Sequence, residues 1–457
     1  MRHNLFGTSG IRGVVNNDLT PELVLRIGLA VATFTNSGRV AVGFDTRQSS
    51  GMVTHSLIAG LLAGGAEVEN HGMIPTPVLA YLASDTDSDA GVMVTASHNP
   101  PEYNGVKIFD KDGMALDDDS QKKVEEIFES TNLKYADWRD LRRAERVDYT
   151  HRYIEMVKSL VVIEKRLRVV VDPGCGAAYS IGPRLFREVG CEVLSVNAQP
   201  DGFFPGRPPE PTAESLSVLS RVVKETRADA GVAYDGDADR MALVDEFGDV
   251  APMDQLIAAY AAYLVSAEGE RTIVVPVDAS MCIDESVEEA GGKVIRTPVG
   301  DVNVARAVLE HKAALGAEAS GAWINPDYSL CPDGILSSML VLAAVSSERL
   351  NTTLSEFVKP IPKYPILRTK VACPPEISNR VMNELQLELL RILPREGEAS
   401  RIDGLRLSSP GGWVLVRLSG TEPVLRVTVE AKDPAETESL MSETINIAQR
   451  VIRRVAP

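Results

Sequence analysis

The serine at position 97 stands where a strand is expected to end. Residues 90–95 read as a buried strand that runs into Ala-Ser-His-Asn-Pro-Pro, where the prolines prevent a helix from following. Ser97 is therefore predicted on an exposed loop, where its hydroxyl can carry a phosphoryl group. An acyl nucleophile is one alternative, but no Gly-x-Ser-x-Gly elbow is present, and the side chain of His98 is expected to point away from Ser97. An ordinary loop serine is the other.

Three aspartates at alternate positions follow a second predicted strand. They are Asp235, Asp237 and Asp239, in the run Asp-Gly-Asp-Ala-Asp-Arg. Three carboxylates this close together repel one another unless a cation lies between them. Oxygen-rich sets of this kind suit a hard ion, Mg²⁺ or alternatively Ca²⁺, which would also contact a phosphate oxygen. The pattern therefore predicts a metal site for phosphoryl chemistry.

Three other interpretations of the aspartates remain open from the residues alone. A calcium EF-hand would need glycine where Arg240 stands, and a helix rather than a strand before the loop. An aspartyl phosphatase would use Asp235 as nucleophile and Asp237 as acid, but it would leave Ser97 without a role. The third interpretation is a solvated acidic turn, although an apolar strand seldom ends in three acids by chance.

Two segments rich in glycine and hydroxyls, each with an arginine, are candidate anion sites. Residues 417–423 read Arg-Leu-Ser-Gly-Thr-Glu-Pro, and residues 7–13 read Gly-Thr-Ser-Gly-Ile-Arg-Gly. A guanidinium, hydroxyls and backbone N–H groups freed by glycine can cradle a phosphate dianion. Each segment alone also fits an ordinary turn, but the presence of both on one acidic chain favours a phosphorylated ligand. The candidate contacts are Arg12, Arg417, Ser419, Gly420, Thr421 and Arg426.

The elements that must position these residues repeat three times along the chain. Each copy has an apolar strand, an aspartate at or near its end, a helix, and a glycine-rich turn into a second strand. The aspartates are Asp45, Asp172 and Asp278. Strand, helix and strand in this order predict parallel pairing through a right-handed crossover. In open parallel sheets, ligands bind beyond the carboxyl ends of the strands.

The spacing of the copies indicates three similar α/β domains followed by a different one. From about residue 365 the chain offers strands at 366–371, 413–417 and 424–431, with helices at 381–393 and at the end, which is an α+β pattern. We predict domain I at residues 1–148 with the serine and domain II at 149–252 with the aspartates. Domain III would follow at 253–364 and domain IV at 365–457.

The composition is that of a folded protein and excludes several functional classes. Of 457 residues, 44% are hydrophobic and 24% are charged, and the net charge of -17 argues against nucleic-acid binding. The five cysteines are scattered and odd in number, so reduced, buried thiols are expected rather than disulfides or a zinc site. No apolar run reaches the roughly 20 residues that cross a bilayer, and no signal core follows the start. We therefore expect a cytoplasmic protein without a membrane partner.

Four motifs together resemble the α-D-phosphohexomutase family of phosphoglucomutases, phosphomannomutases and phosphoglucosamine mutases. Residues 95–100 are similar to its phosphoserine loop, 235–240 to its metal loop, 318–321 to its sugar-recognition loop and 417–423 to its phosphate loop. The resemblance covers essentially the whole chain, and four loops in the family's order are hard to obtain by chance. It implies an α/β protein of four domains around a central cleft: three similar α/β domains with mixed, mostly parallel sheets, and a C-terminal α+β domain.

The resemblance implies a role for each matched residue. Ser97 would carry the phosphoryl group and, with Asp235, Asp237 and Asp239, hold Mg²⁺ as cofactor. Lys107 matches the family's proposed general acid/base. Arg12, His98 and Arg240 would support catalysis. The substrate contacts would be Gly300, Asp301, Glu318, Ser320, Arg417, Ser419, Gly420, Thr421 and Arg426.

The implied reaction is that of a phosphosugar mutase, an isomerase that moves phosphate between C6 and C1 of a hexose. Phospho-Ser97 would donate to a hexose phosphate, the bisphosphate would turn end for end, and the other phosphate would return to Ser97. The pair Gly300-Asp301 resembles phosphoglucosamine mutases more than the Gly-His of many phosphomannomutases, which favours glucosamine phosphate. The alternatives are phosphomannomutase or phosphoglucomutase activity, a sugar-phosphate phosphatase, and a non-catalytic sugar-phosphate-binding protein.

Overall fold

A computed structural model describes residues 5–7, 10–130, 133–390, 397–419 and 423–456 of the chain. The chain divides into two units. The first unit comprises residues 1–253 and 314–359, and the second comprises residues 254–313 and 360–457. Ser97 and the three aspartates belong to the first unit, whereas the segments around Gly300 and Arg417 belong to the second.

A six-stranded mixed sheet begins the first unit. Its strands are β1 Ile11–Val14, β2 Arg39–Phe44, β3 Glu67–Met73, β4 Ala90–Val94, β5 Tyr103–Phe109 and β6 Ala144–Arg146, and its helices are α1 Pro21–Phe34, α2 Ser50–Ala63, α3 Thr76–Asp85 and α4 Asp118–Glu129. The strand order is β1-β5-β4-β2-β3-β6. β2 is parallel to β3 and β4, whereas β5 is antiparallel to β4 and β1. Every residue of β4 is buried, as expected for a central strand covered on both faces.

A four-stranded sheet follows in the same unit, in the order β10-β9-β7-β8. Its strands are β7 Arg168–Asp172, β8 Glu192–Ser195, β9 Ala230–Tyr234 and β10 Met241–Val244, and its helices are α5 Thr150–Leu160, α6 Ile181–Glu188 and α7 Ser217–Thr226. β7 is parallel to β8 and β9, and β10 returns antiparallel to β9. The three aspartates lie in the connection from β9 to β10.

The next part of the chain contributes to both units. Residues up to 313 form α8 Met253–Glu268, β11 Thr272–Pro276, α9 Met281–Glu289, β12 Lys293–Thr297 and α10 Asp301–His311, and β11 is parallel to β12. The chain then returns to the first unit with β13 Leu315–Ala317, β14 Trp323–Ile324, α11 Gly334–Ser346 and α12 Leu354–Val358. β13 and β14 are antiparallel, and Met241 N–H donates to Gly321 O over 3.1 Å, which joins their connection to β10.

An antiparallel sheet of order β15-β19-β18-β17-β16 completes the second unit. Its elements are β15 Ile366–Ala372, α13 Pro375–Leu389, β16 Glu398–Ser400, β17 Leu405–Ser409, β18 Gly412–Leu418, β19 Val424–Ala431 and α14 Pro434–Val455. One face of the sheet packs on α13 and α14 through residues such as Val416, Val427 and Leu385. α13 begins earlier than the predicted residue 381, because Pro375 fits the first turn of a helix.

The repeat seen in the sequence is confirmed at the level of strand pairing. Each copy supplies a parallel pair, namely β2 with β3, β7 with β8, and β11 with β12. All five cysteines are buried free thiols, as expected. In the parts of the chain that the structure describes, no helix combines the length and the apolar character needed to cross a membrane.

Candidate active site

Ser97 lies just beyond β4, at the carboxyl edge of the first sheet. Its backbone takes a left-handed φ of 50°, and its N–H donates to Thr95 Oγ1 over 2.8 Å. Its Oγ donates to Asp235 Oδ2 over 2.5 Å, so two residues 138 positions apart are in direct contact. The predicted loop is therefore present, but the prediction that the serine is exposed is wrong. Ser97 is 1% exposed, because the connection from β9 to β10 covers it.

A buried guanidinium holds the serine loop (residues 95–101) in shape. Arg47 donates to four backbone carbonyls, those of Ser97 (2.8 Å), Asn99 (2.6 Å), Pro100 (2.5 Å) and Tyr103 (3.0 Å). Its Nε donates to Asp45 Oδ2 over 3.0 Å, which compensates the buried charge. Only the planar, multiple-donor fork of arginine can satisfy so many acceptors from one position. Arg47 therefore fixes the backbone on which Ser97 is carried.

His98 contacts Ser97 instead of pointing away from it. Its Nδ1 lies 3.3 Å from Ser97 Oγ, which corrects the expectation from the sequence. The left-handed backbone at Ser97 reverses the chain locally and brings the two neighbouring side chains to one side. Burial first, and then the nearby cations Arg240, Arg12 and Lys107, lower the pKa of His98 to about 3. The ring is thus a neutral hydrogen-bonding group at pH 7.

The aspartate loop (residues 235–240) brings three carboxylates into one buried cluster. One oxygen from each of Asp235, Asp237 and Asp239 lies within 4.8 Å of the others. Among the described residues, Asp237 Oδ1 and Asp239 Oδ1 have no hydrogen-bond partner although both atoms are buried. Burial, followed by repulsion from Asp239 and Asp237, raises the pKa of Asp235 well above its usual range. Unsatisfied acceptors and mutual repulsion are what a bound cation relieves, so this cluster fits a divalent metal ion.

Two residues of the first sheet's domain clamp the second aspartate. Lys107, on β5, donates from Nζ to Asp237 Oδ2 over 2.8 Å and to Asp239 Oδ2 over 2.5 Å. Burial would lower the pKa of Lys107, but the two carboxylates raise it above its ordinary value, so the amine is a cation. Thr76, at the start of α3, donates from Oγ1 to Asp237 Oδ2 over 2.5 Å. Asp237 is thereby fixed through one oxygen while the other has no partner in the described chain.

The two loops meet so closely that one position must be glycine. A Cβ added at Gly236 would lie 2.6 Å from Ser97 O, well inside van der Waals contact. Arg207 supports the start of the aspartate loop, because it donates to the carbonyl of the preceding residue, Tyr234, over 2.6 Å and to Asp172 Oδ2 over 3.0 Å. Each loop is thus locked to its own sheet by one buried arginine paired with a strand-end aspartate.

Arg240 closes the aspartate loop and lies beside the predicted sugar contacts. Its N–H donates to Asp235 Oδ1 over 3.2 Å, and its guanidinium lies 3.4 Å from Glu210 Oε1. Burial would lower the pKa of Arg240, but the nearby carboxylates of Asp239, Asp235 and Glu318 raise it. The guanidinium is therefore a fixed positive charge between the aspartate loop and Glu318.

The segment from Glu318 to Gly321 is a tight turn between β13 and β14. Gly321 N–H donates to Glu318 O over 3.0 Å, and Ser320 Oγ donates to Glu318 Oε2 over 3.3 Å. Gly321 has a φ of 90°, and a Cβ there would lie 2.2 Å from Met241 O. The close backbone contact with the start of β10 therefore requires glycine and sets the turn beside the aspartate loop.

Arg12 reaches the serine loop from the first strand. It lies on β1 opposite Gly105 of β5, and its Nη1 donates to Asn99 Oδ1 over 2.6 Å. The supporting role in catalysis expected for Arg12 is consistent with this contact and stays a prediction. Thr8 and Ser9, which precede it in the candidate anion segment, lie outside the described residues.

In the second unit, one carboxylate connects two predicted substrate segments. Gly300, with a φ of 126°, precedes α10, and Asp301 is the first residue of that helix. Asp403 Oδ2 accepts from the N–H of Val299 over 3.3 Å and lies 3.5 Å from Arg417 Nη1. Asp403 thus places the loop before Gly300 next to the guanidinium of Arg417.

The predicted phosphate segment connects β18 to β19. Arg417 and Arg426 are direct cross-strand partners, so their side chains lie on one face of the sheet. Arg426 Nε donates to Ser419 Oγ over 3.4 Å. Gly420 and Thr421 lie outside the described residues. The described part brings two guanidiniums and a hydroxyl together at the end of a hairpin, which is an anion-binding arrangement.

Comparison with known proteins assigns this combination to a family. Residues 3–134, 150–248 and 252–364 match the phosphoglucomutase/phosphomannomutase alpha/beta/alpha domains I, II and III, and residues 376–447 match the C-terminal domain. The chain belongs to the phosphoglucomutase/phosphomannomutase family of α-D-phosphohexomutases. It therefore has three α/β domains with mixed, mostly parallel sheets and a fourth, C-terminal domain with an antiparallel sheet, and it is a phosphosugar mutase.

Relatives of this phosphohexomutase match over its full length. The chain is 42% identical over 454 residues, 99% of both sequences, to a probable phosphoglucosamine mutase of Pyrococcus abyssi. It is 44% identical, over 98% of both sequences, to one of Methanothermobacter thermautotrophicus. A crystal structure of a phosphoglucomutase/phosphomannomutase family protein from Burkholderia thailandensis superimposes with a TM-score of 0.87 at 27% identity, covering 99% of this chain and 98% of that one.

The geometry of this phosphohexomutase excludes the EF-hand interpretation of its aspartates. The aspartate loop has β9 before it and β10 after it, where an EF-hand would have helices on both sides. A solvated acidic turn is also wrong, because all three aspartates are buried. An acyl nucleophile finds no support, because Ser97 Oγ donates its hydrogen bond to a carboxylate of the aspartate cluster.

Sequence analysis missed several side chains that shape the site. Arg47 and Thr76 bind the two loops directly, and Arg207 binds the residue before the aspartate loop, yet none of the three stands in a motif. Two of them satisfy backbone carbonyls, which any residue supplies, so no partner is visible in the sequence. The one available signal was the strand-end aspartates Asp45 and Asp172, since a buried carboxylate needs a cation or several donors.

Proposed function

We propose that the chain is a magnesium-dependent phosphoglucosamine mutase that interconverts glucosamine 6-phosphate and glucosamine 1-phosphate. The observation that carries the proposal is the 2.5 Å hydrogen bond from Ser97 Oγ to Asp235, which places a hydroxyl against a buried carboxylate cluster that fits a divalent ion. The names of the full-length relatives and the Gly300-Asp301 pair support glucosamine phosphate as the substrate.

In the proposed reaction, Ser97 carries the phosphoryl group as a phosphate ester. The bond from phosphorus to Ser97 Oγ breaks while a new bond forms from phosphorus to the free hydroxyl oxygen of glucosamine phosphate. The proton of that hydroxyl passes to a base, Ser97 Oγ takes up a proton as it leaves, and the product is a bisphosphate. In the second step the Ser97 hydroxyl gives up its proton as Oγ bonds to the other phosphorus, and the sugar oxygen that leaves takes up a proton, which gives the isomer and restores the phosphoenzyme.

The chain's own residues prepare this transfer. Asp235, Asp237 and Asp239, with Ser97, would hold Mg²⁺, which when bound offsets negative charge on the transferring phosphoryl group. Lys107 holds a proton at Nζ and is the proposed general acid/base. His98 offers a neutral ring nitrogen to Ser97, and Arg12 and Arg240 supply fixed positive charge around the loops. The buried setting excludes water, which would divert the phosphoryl group to hydrolysis.

The substrate contacts are proposed on the same basis. Glu318 and Ser320 would hydrogen-bond sugar hydroxyls from their turn beside Arg240, and Gly300 and Asp301 would contribute from the start of α10. Arg417, Ser419 and Arg426, with Gly420 and Thr421, would bind the phosphate that is not reacting. Binding energy at this remote phosphate would help to orient the reacting end.

A coupled assay on parallel substrates tests the proposal. With Mg²⁺ and a trace of hexose bisphosphate, the enzyme should convert glucosamine 6-phosphate to the 1-phosphate faster than it isomerises glucose or mannose phosphates. Free phosphate as the main product would indicate a phosphatase. Faster turnover of glucose or mannose phosphate would reassign the substrate.

The variant Ser97→Ala tests the carrier role. It should lose isomerisation by a factor of about 10⁴ or more, because alanine has no hydroxyl to carry the phosphoryl group. Ser159→Ala, an exposed serine on α5, is the matched control and should keep full activity. Normal isomerisation by Ser97→Ala would overturn the proposed mechanism.

A further inference from the structure

One aromatic residue of the second α/β domain covers the guanidinium that shapes the serine loop. The ring of Phe204 lies over Arg47, with 5.2 Å between the guanidinium carbon and the ring centroid. Both side chains are buried. A cation over an aromatic face is attracted by the ring electrons, and more strongly where water is excluded. Phe204 and Arg47 therefore form a buried cation–π pair that joins the first two domains.

The hydrogen bonds of Arg47 leave only the faces of its guanidinium to be packed. Its Nε donates to Asp45, and each of its two terminal nitrogens donates to two backbone carbonyls of the serine loop region. An arginine has five N–H donors, and all of them lie in one plane. Because these bonds weaken when the donors turn away from their acceptors, the plane must not tilt. A ring packed on one face opposes such a tilt.

Phe204 belongs to a loop that touches the supports of both active-site loops. Residues 201–207 are here named the clasp loop. Arg207, which supports the start of the aspartate loop, is its last residue. Near its beginning, Gly202 lies against the segment that carries Arg47, since a Cβ there would lie 2.6 Å from Thr46 O. The clasp loop thus supplies one of the two buried arginines and packs on the other.

The clasp loop holds Phe204 in an uncommon backbone conformation. Asp201 Oδ1 accepts from Phe203 N–H over 2.9 Å, Asp201 O accepts from Phe204 N–H over 3.1 Å, and Asp201 N–H donates to Cys175 O over 3.1 Å. Phe204 has a left-handed φ of 51°, which an aromatic residue seldom adopts. Of the two adjacent rings, Phe203 is 68% exposed and Phe204 only 5%. Strain of this kind persists where the surroundings enforce it, and it is concentrated at functional sites.

The ring of Phe204 also reaches the point where the serine and aspartate loops meet. A Cβ added at Gly236 would lie 3.6 Å from Phe204 Cζ and 2.6 Å from Ser97 O. The same carbonyl of Ser97 accepts from Arg47 Nη2 over 2.8 Å. Ser97 is therefore held between the guanidinium and Gly236, and the ring lies beside both. A displaced ring would change the separation of the two loops.

We propose that Phe204 is a positioning residue for phosphoryl transfer, because it fixes the guanidinium of Arg47 and thereby the place of Ser97 Oγ beside Asp235. This inference rests on the proposed function, in which the phosphoryl group moves on and off Ser97. A misplacement of reacting atoms by about 1 Å can slow a reaction by about 100-fold. Phe204 acts through Arg47 and not through contact with the substrate.

Steady-state kinetics of Phe204→Leu is the first test. Leucine keeps a buried apolar side chain without a branch at Cβ, but it removes the aromatic face. We expect kcat to fall by about 10-fold while KM for glucosamine 6-phosphate stays within about twofold, because positioning acts on the transfer step. Phe203→Leu, the same change at the adjacent exposed ring, is the matched control and should keep the parent's kcat. Equal kcat in the two variants would overturn the inference.

A double-mutant cycle shows whether the effect passes through Arg47. In an Arg47→Lys background, Phe204→Leu should lower kcat by less than about 3-fold, because the planar group that the ring covers is already absent. A purely structural role would give the same factor in both backgrounds. An undiminished loss in the Arg47→Lys background would therefore contradict the positioning role.

Hydrogen exchange measured by mass spectrometry tests the inference without turnover. In the serine loop, Ser97 N–H donates to Thr95 Oγ1 over 2.8 Å, and Asn99 N–H donates to Ala96 O over 3.0 Å. In the ligand-free Phe204→Leu protein, peptides from this loop should exchange about 10-fold faster than in the parent, while peptides from β7 and α6 keep the parent's rate. Unchanged exchange in the loop, or equal acceleration throughout the chain, would overturn the inference.

Two further arrangements keep the test decisive. If Phe204→Leu does not fold, Phe204→Met replaces it in all three measurements, since the flexible side chain of methionine fills irregular space. If the parent enzyme never isomerises sugar phosphates, the mutase proposal fails. The exchange comparison then still decides whether Phe204 holds the serine loop.

Discussion

The serine and aspartate loops of the first unit differ in construction from the arginine pair of the second, Arg417 and Arg426. Ser97 and the three aspartates are buried, and arginine forks, Thr76 and Lys107 hold them by hydrogen bonds of 2.5 to 3.0 Å. Arg417 and Arg426, by contrast, are only half-buried, and Asp403 lies 3.5 Å from Arg417. Groups proposed to make and break bonds are thus fixed in advance, whereas groups proposed to hold a phosphate stay partly accessible.

This difference predicts two kinds of kinetic defect. Preorganised reacting groups act on the transition state, so damage to their supports should lower kcat. Open anion contacts act on ground state and transition state alike, so damage there should raise KM.

The largest effect is expected for Arg47→Lys. The ammonium of lysine cannot donate all the hydrogen bonds that the guanidinium makes to four loop carbonyls and Asp45. We therefore expect kcat to fall by about 100-fold and the free energy of unfolding by about 2 to 4 kcal/mol. KM should change little. Steady-state kinetics measures kcat and KM, and urea unfolding measures the stability. Arg39→Lys, at the partly exposed start of β2, is the control. A folded Arg47→Lys enzyme with full kcat would contradict the positioning role.

Arg417→Gln should show the opposite pattern. Loss of one guanidinium of the arginine pair should raise KM for glucosamine 6-phosphate by about 10- to 30-fold while kcat falls only a few-fold. Arg401→Gln, an exposed arginine of the same domain, controls for net charge and should behave as the parent. If Arg417→Gln lowered kcat alone, the contrast between the two regions would be lost.

Gly236→Ala tests how closely the two loops must meet. The added methyl would lie 2.6 Å from Ser97 O, so the loops must separate, and kcat should fall about 10-fold with a stability loss of about 1 to 3 kcal/mol. Gly51→Ala in α2 is the matched control, since its Cβ meets nothing within 4 Å. The free energy of unfolding of that variant should increase by about 0.5 to 1 kcal/mol. Equal stability and activity of the two variants would show that the contact is unimportant.

The smallest effect on activity is expected at Asp333, which caps α11. The residue after it, Gly334, donates from its N–H to Ala238 O of the aspartate loop over 3.1 Å, and an asparagine at position 333 keeps the shape of the cap. Its Oδ1 accepts from Leu336 N–H and its Oδ2 from Tyr153 Oη, and burial raises the pKa of Asp333 to about 6. The folded state therefore keeps a proton that the unfolded state releases near pH 4. Stability from this group is complete below that pH and is lost as pH rises through about 6.

Asp333→Asn should remove this dependence. As the pH rises from 4.5 to 7.5, the free energy of unfolding of the variant should increase relative to that of the parent by on the order of 2 to 3 kcal/mol, as measured by urea unfolding. Its activity at pH 7.5 should equal that of the parent. If the free energy of unfolding changed with pH in the same way in both proteins, the raised pKa of Asp333 would be contradicted.

The sequence predicted the strands and loops well because these elements are determined by residues that are close together along the chain. Apolar runs, strand-end aspartates and glycine turns gave the parallel pairs, and the alternate spacing of Asp235, Asp237 and Asp239 gave the carboxylate cluster. The resemblance to phosphohexomutases added the family and four functional loops. The roles assigned to individual site residues stay predictions.

The arginines that bind the strand ends could not be predicted from the sequence, because they are close to their partners in space but at no fixed separation along the chain. The arginine that binds the strand end lies 2 residues from Asp45 in the first copy and 35 from Asp172 in the second. In the third copy Arg406 binds the carbonyl of Val277 from 129 residues away. No sequence spacing links these arginines, although all three lie at the ends of equivalent strands. The contact of His98 with Ser97 was missed for a similar reason, since nothing local revealed the left-handed backbone.

The φ of 50° at Ser97 has a consequence for the choice of amino acid. Threonine offers the same hydroxyl chemistry, but a residue branched at Cβ is strongly disfavoured in this backbone region. A Ser97→Thr enzyme would therefore have to distort the loop before it could be phosphorylated. At this position the main chain, more than the reactivity of the oxygen, decides which hydroxyl amino acid can serve.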